Sequence, residues 1–285
     1  FALLAKRREM LRSATQAAQA NINLQVLRPL AIEVPPESEM KRIGLMLSVV
    51  ERQCHLAATD IENAKRRRQA LMQQLLTGKR RFPGFSKPWK QSSIGDHFKK
   101  HRDPVDWDEE EEYSLLSVRR RCGGVFLREK KFGRDIGVKK TFVVTTGDIL
   151  VSIKQVCHGA IAIVTPDFDG CHVSDSYVVL RPRSRGDIDA AFFGWLLKTQ
   201  RMLHLASKSS HGVHIEKMFF DPTYFLKQEV VFPSDPKEQR AVVNLLDGSD
   251  REIATLERLF AAYQRQKRAL MQQLLTGKRR VKVAG

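Results

Sequence analysis

The segment ALMQQLLTGKRR occurs twice, at 70–81 and at 269–280, an offset of 199. Twelve identical residues at that distance mark an internal repeat far longer than a solenoid unit. Ahead of each copy, mostly apolar residues recur at alternating steps of four and three, with one basic residue late in each run at the same register. In the first copy they are Ile43, Leu47, Val50, Cys54, Ala57, Ile61, Ala64, Arg68, Leu71 and Leu75; 199 residues on stand Val242, Leu246, Ser249, Ile253, Leu256, Phe260, Tyr263, Lys267, Leu270 and Leu274. Both runs are a/d seams sustained over more than four heptads, which predicts two long helices that pair as a coiled coil. The matched register predicts antiparallel pairing. The pairing residues are expected to be Leu47, Val50, Ile61, Leu71 and Leu75 on the first helix, with Leu246, Ile253, Leu256, Phe260, Leu270 and Leu274 on the second.

The repeat extends upstream in weaker form. LQVLRPLAIEVP at 24–35 and YFLKQEVVFP at 224–233 are β-prone runs that stop at a proline, and each is followed by an acidic residue, Glu39 or Glu238. The chain thus reads as the end of one globular domain (1–36), a long helix (37–82), a complete globular domain (83–235) and a second long helix (236–285). It opens on Phe1, so the expectation is the C-terminal part of a longer protein that lacks most of its first globular domain.

Between 83 and 233 the pattern changes. Runs shorten, valine and isoleucine rise, and glycine and proline punctuate. Residues 113–118, 141–144, 148–153, 160–165 and 176–181 read as strands, and 188–205 as an amphipathic helix. The fold class is α+β, a sheet-rich domain flanked by the two helices.

With 49 Lys and Arg against 32 Asp and Glu the net charge is +17, which calls for a polyanionic partner. No apolar run reaches 18 residues and no signal peptide is present, so nucleic acid is favoured over a membrane surface. The cationic residues are unevenly placed. Arg119, Arg120 and Arg121 follow a strand and meet Gly123 and Gly124. Arg128, Lys130, Lys131 and Lys139 come next. Lys154 and Gln155 leave a strand, and Lys208, Ser209 and His211 lie in a polar segment after the helix. Arginine and lysine neutralise phosphate, and Arg, Gln and Ser read base edges, so these are the candidate DNA contacts. The competing account has them solvate the surface, or pair with the acidic run at 108–112.

No catalytic pattern emerges. Asp221-Pro222-Thr223-Tyr224 approaches the D-P-P-Y motif of amino-methyltransferases but lacks its second proline and the glycine loop for a methyl donor. Thr77-Gly78-Lys79 lacks the earlier glycine of a phosphate loop. The four cysteines, Cys54, Cys122, Cys157 and Cys171, have no CxxC spacing and fit a reducing cytoplasm. No metal or cofactor is called for.

Taken together, these pieces resemble the specificity subunit of type I restriction-modification systems. The helix ending LMQQLLTGKRRFPGF is similar to that family's central conserved region. YSLLSVRRRCGGVF at 113–126, TTGDILVSIKQ at 145–155, GAIAIVTP at 159–166 and VSDSYVVLRP at 173–182 are similar to phrases of its target recognition domains. The resemblance implies a non-catalytic subunit that reads one half of a bipartite target in double-stranded DNA. It also implies methyltransferase subunits docked on the chain, motor-nuclease restriction subunits joined to that core, and a cytoplasmic location. A coiled-coil scaffold whose basic domain binds an acidic protein is the alternative.

Overall fold

The computed structural model describes residues 34–137, 140–184, 186–214 and 218–282. The expected remnant of a first globular domain, up to residue 33, and Lys139 lie outside the described residues. In chain order the elements begin with α1 (Glu37–Leu75), β1 (Trp89–Ser93), α2 (Ile94–His97), β2 (Phe98–His101), β3 (Glu112–Val118), β4 (Val125–Phe132), β5 (Thr141–Val143) and β6 (Ile149–Ser152). They continue with β7 (Ile161–Ile163), β8 (His172–Ser174), β9 (Tyr177–Pro182), α3 (Ala190–Leu197), α4 (Gln200–Lys208), β10 (Ser210–His211), β11 (Phe219–Phe220), α5 (Pro222–Leu226), β12 (Glu229–Pro233) and α6 (Pro236–Leu275). The described residues divide into a helical unit, 34–67 with 249–282, and a globular unit within 68–248.

In the helical unit α1 and α6 run antiparallel. Glu39 pairs with Arg280, Glu51 with Lys267, Lys65 with Glu257 and Arg67 with Glu252, so positions descend on α6 as they ascend on α1. Most of these pairs are solvent-exposed, worth about 0–1 kcal/mol each. The seam carries the association. Ile43, Val50, Cys54, Ala57, Ile61, Ala64, Ile253 and Leu274 are buried, while Leu47, Leu256, Phe260 and Leu270 are partly covered. Alanine and cysteine at Cys54, Ala57 and Ala64 present little side chain, which lets the two helices approach closely.

The globular unit is built on two four-stranded sheets, ordered β2-β9-β6-β7 and β4-β3-β8-β5. The first is covered on both faces. Ile149, Val151, Ile161, Val178 and Leu180 point into a core shared with α3 and α4, and Leu150, Ala162 and Val179 point into the core facing the second sheet. This period-two division of apolar residues along the strands is what burial on both faces requires. Asp148, at the entry to β6, is fully buried and takes a bidentate bond from Arg181 on β9 (2.9 and 2.7 Å).

The end of α1 and the start of α6 belong to this unit's core. Met72, Leu75, Leu76, Val242, Val243 and Leu246 are buried together with Phe192, Phe193 and Trp195, and Leu71 packs against them. Leu71, Leu75 and Leu246 therefore serve the globular core, a correction to their expected role in the helix pairing. The seam continues past the coiled coil because the same stripe that meets a helix also meets a sheet-backed core.

One helix was expected over 188–205, and two form. Thr199 separates them: its hydroxyl donates to the Leu196 carbonyl (2.7 Å) and accepts from the Met202 amide (3.3 Å), closing α3 and capping α4. Among the strands, β4 was unexpected. Its sequence, VFLREKKF, alternates poorly because it is an edge strand with mostly exposed side chains.

Candidate nucleic-acid interface

The β3–β4 hairpin turns through Arg119–Gly124, and its tip is strained. The Gly123 amide donates to the Arg120 carbonyl (3.2 Å), and the two residues between, Arg121 and Cys122, both have positive φ (56° and 53°). That is the geometry of a type I′ turn, which normally takes Asn-Gly because a Cβ crowds the left-handed region. Such a conformation costs about 1–3 kcal/mol per residue and persists only where its surroundings enforce it. Here the Arg121 amide donates to the His158 carbonyl (2.8 Å) and the Cys122 amide to the Gly159 carbonyl (2.9 Å). Gly159 is itself left-handed, and a Cβ there would lie 3.1 Å from the Arg121 nitrogen. Docking on the loop after β6 thus fixes the arginine turn. The guanidinium of Arg119 stacks over Phe126 at 4.2 Å.

The same loop touches the β10–β11 hairpin. The Phe220 amide donates to the Ile153 carbonyl (2.9 Å), and the ammonium of Lys154 lies over the Phe219 ring (5.7 Å). His211 pairs with Phe219 across the hairpin, and its Nε2 stands 3.8 Å from the Asp221 carboxylate. Three segments expected to contact DNA are thereby joined: the Arg119–Arg121 turn, Lys154 with Gln155, and the segment from Lys208 to His211. Arg119, Arg120, Arg121, Lys154, Lys208 and His211 are exposed. The side-chain carbonyl oxygen of Gln155 is buried with no hydrogen-bond partner among the described residues.

Ser209 differs from expectation. It is fully buried, and its hydroxyl donates to the Leu205 carbonyl (2.8 Å), so it closes α4 and has no surface to offer. Arg128, Lys130 and Lys131 differ as well. They stand on β4 and pair with carboxylates: Arg128 and Lys131 with Glu129, Lys130 with Glu112. Arg134 pairs with Glu110 (2.6 Å). Glu129 within β4 therefore takes up Arg128 and Lys131, while the acidic run takes up Lys130 and Arg134. For Arg119–Arg121 no ion pair is formed with it among the described residues. Two arene partners, Phe126 and Phe219, were invisible as such in the sequence, because only the hairpin registers bring them under Arg119 and Lys154.

Two features mimic catalytic sites. Asp221 of the Asp-Pro-Thr-Tyr run caps α5: its carboxylate accepts from the Thr223 and Tyr224 amides (2.8 and 3.3 Å), and the Thr223 bond foremost holds it below the usual aspartate range. Ser92, His97 and Asp187 stand together like a hydrolytic triad, with Ser92 Oγ 2.6 Å from His97 Nε2. The Asp187 backbone amide, however, donates to His97 Nδ1 (3.1 Å). Nδ1 is then the acceptor, Nε2 carries the proton and donates to Ser92, and burial lowers the imidazole's affinity for a second proton. The ring cannot accept a proton from that serine.

No family model matches the sequence. Among solved structures, the type I restriction-modification S subunit from M. genitalium superimposes with a TM-score of 0.58 at 15% identity, over 99% of this chain and 72% of that one. The HsdS subunit from Thermoanaerobacter tengcongensis gives 0.53 at 16% identity, over 95% and 67%. A chain from a structure of type I restriction-modification complex assembly and conformational transition gives 0.57 at 16%, over 95% and 68%. The chain has the fold of the specificity subunits of type I restriction-modification systems.

Proposed function

We propose that the chain is a DNA-specificity subunit of a type I restriction-modification complex. Its globular unit reads one half of a bipartite target, and its paired helices hold that unit at a set distance while methyltransferase subunits dock on the chain. Motor-nuclease subunits join that core, and methyl transfer and cleavage belong to the partners. The setting is cytoplasmic; no helix among the described residues is long and apolar enough to cross a membrane.

The observation that carries this reading is the joining of three cationic segments on one β-rich unit. Arg119–Arg121, Lys154 and Lys208–His211 come from distant parts of the sequence and are tied by backbone hydrogen bonds. A net charge of +17 supplies the electrostatic attraction that non-specific DNA binding needs. The fold likeness supports the same role. Helices of 39 and 40 residues run about 60 Å at 1.5 Å per residue, enough to separate two half-sites by more than one turn of duplex.

The test is reconstitution with cognate methyltransferase subunits. The complex is expected to methylate adenine at a discrete bipartite sequence, and exchange of residues 83–235 for those of another specificity subunit is expected to change one half of that sequence only. Methylation with an unchanged target after the exchange would refute the assignment. Binding to an acidic protein with no affinity for duplex DNA would establish the scaffold alternative.

A further inference from the structure

The loop that fixes the arginine turn also fixes the β10–β11 hairpin, which divides two adjacent phenylalanines between core and solvent. Phe220 is 5% exposed and packs on Phe225, with 5.3 Å between ring centroids. Phe219, one step earlier on the strand, is 52% exposed and belongs to no hydrophobic cluster among the described residues. Successive strand residues face opposite ways, so burying Phe220 obliges Phe219 to face water. The presentation is rigid. The Phe220 amide donates to the Ile153 carbonyl (2.9 Å) and the Asp221 amide to the Ser209 carbonyl (2.7 Å), which pins the strand on both sides. Flat and cationic groups surround the ring. His211 is its cross-strand partner, exposed Tyr224 meets the His211 ring at 6.2 Å, and the Lys154 ammonium lies 5.7 Å from the Phe219 centroid. That last separation is near the limit of a cation–π contact, so a flexible lysine gives it up at little cost. The Asp221 carboxylate, 3.8 Å from His211, is already engaged by the Thr223 and Tyr224 amides. Threonine or lysine would serve the fold as well at a water-facing strand position. An aromatic ring held there among cations suits a polyanion built of stacked bases.

We propose that Phe219 is a base-stack wedge: its ring enters between two neighbouring base pairs of the bound duplex while Lys154 turns to an adjacent phosphate. This rests on the DNA-specificity reading and adds a second kind of readout to it. Side chains in a groove read base edges, whereas a wedge reads how readily one step opens, and TA and CA steps open most readily. Phe219 thus makes the half-site sensitive to a step that no hydrogen bond needs to reach.

The experiment titrates the whole chain, without methyltransferase subunits that could flip a base, against duplexes carrying the half-site that methylation mapping defines. A single abasic site is moved step by step through that half-site. An abasic position removes the stacking that a wedge must break, so binding by the parent is expected to tighten about tenfold at one position. In an otherwise intact duplex, 2-aminopurine at that position is expected to brighten on binding. Phe219→Ala is expected to weaken the intact duplex about tenfold, the scale of one lost base–aromatic stack, and to lose both the abasic preference and the 2-aminopurine signal. Phe219→Tyr keeps the ring and is expected to stay within about threefold of the parent. Lys154→Gln controls for charge: it is expected to lower the salt slope and to keep the abasic preference. A flat abasic profile in the parent, or the same preference in Phe219→Ala, overturns the wedge while duplex binding leaves the specificity reading standing. A parent that binds no duplex overturns both.

Discussion

Arg81 holds Glu238 through two bonds of 2.8 and 2.7 Å, and 199 residues on Arg280 holds Glu39 in the same way, at 2.6–3.0 Å. Both glutamates are almost fully buried, and each sits in the first turn of a long helix. Both arginines end the ALMQQLLTGKRR segment, past glycines with the same left-handed φ (70° at Gly78, 69° at Gly277). The clamp is one design made twice: a helix ends on glycine, the chain reverses, and its arginine seizes the helix start that follows the other β-prone run. A positive guanidinium at a helix N-terminus would be unfavourable alone; the glutamate beside it reverses the sign.

The Arg280–Glu39 clamp makes the helical unit acid-sensitive. The Arg280 hydrogen bond, then the Val281 amide, hold the Glu39 carboxyl below the ordinary glutamate value. Its folded pKa is depressed, so its contribution is complete above the unfolded value of about 4.3 and fades as pH falls through the folded one. Glu39→Gln is expected to destabilise the helical unit at pH 7 and to flatten its stability profile below about pH 4.3. Denaturant melts of parent and variant from pH 7 to pH 3 check this; parallel profiles would sink it.

The seam and its opposite face give a paired contrast. Ile61 is 7% exposed between the helices, whereas Leu56 is 52% exposed on the same helix. Ile61→Asp buries an unpaired charge and is expected to cost about 3 kcal/mol or more, while Leu56→Asp stays within about 0.5 kcal/mol. Urea unfolding of both variants decides it, and equal losses would mean that the helices do not pair along this seam.

Much of this was legible because it is periodic or identical. Heptad spacing located both helices, and the repeated segment located their equivalence. Alternation failed at β4, an edge strand where charged residues interrupt the apolar ones, and its basic residues were read as candidate DNA contacts. Ser209 was read as a ligand-facing hydroxyl because sequence does not reveal that the chain re-enters the core there. The clamps fell between: Glu39 and Glu238 were visible as matched acids, but partners 241 and 157 residues away in the chain were not. Local chemistry is written in neighbouring residues; which surface is left for a ligand depends on pairings that only the folded chain makes.

Asp148 is a charge held inside the core of the globular unit. It is fully buried between Thr145 and Arg181, whose side chain is itself only 23% exposed. Asp148→Ala leaves that guanidinium without its partner inside the sheet, at a cost of about 3 kcal/mol, the low end for a buried pair because Arg181 keeps some water. Arg181→Met with Asp148→Leu removes both charges and is expected to recover most of the loss. Thermal melts of the single and double variants separate the outcomes, and an additive double variant would show the pair to be uncoupled.

The last prediction concerns which cationic residues read sequence and which only hold the strand. Arg120 stands at the tip of a rigid turn fixed by the His158 and Gly159 carbonyls, and a bidentate guanidinium matches guanine's two major-groove acceptors. Lys208 ends α4 as an exposed point charge, suited to phosphate. Arg120→Ala in the reconstituted methyltransferase complex is expected to weaken the preferred site by about 1–3 kcal/mol and to relax the choice at one base pair. Lys208→Ala is expected to weaken all sequences alike and to lower the slope of log K against log salt by about one. Lys130→Ala serves as the internal control. Its ammonium already faces Glu112 at 3.4 Å, so its removal is expected to change neither the slope nor the preference. Titrations against a panel of single-base target variants at several salt concentrations measure all three. If Arg120→Ala leaves the panel unchanged while Lys208→Ala alters the base preference, the roles are reversed; if Lys130→Ala matches Lys208→Ala in slope, the DNA path runs along β4 and the hairpin tip is not its centre.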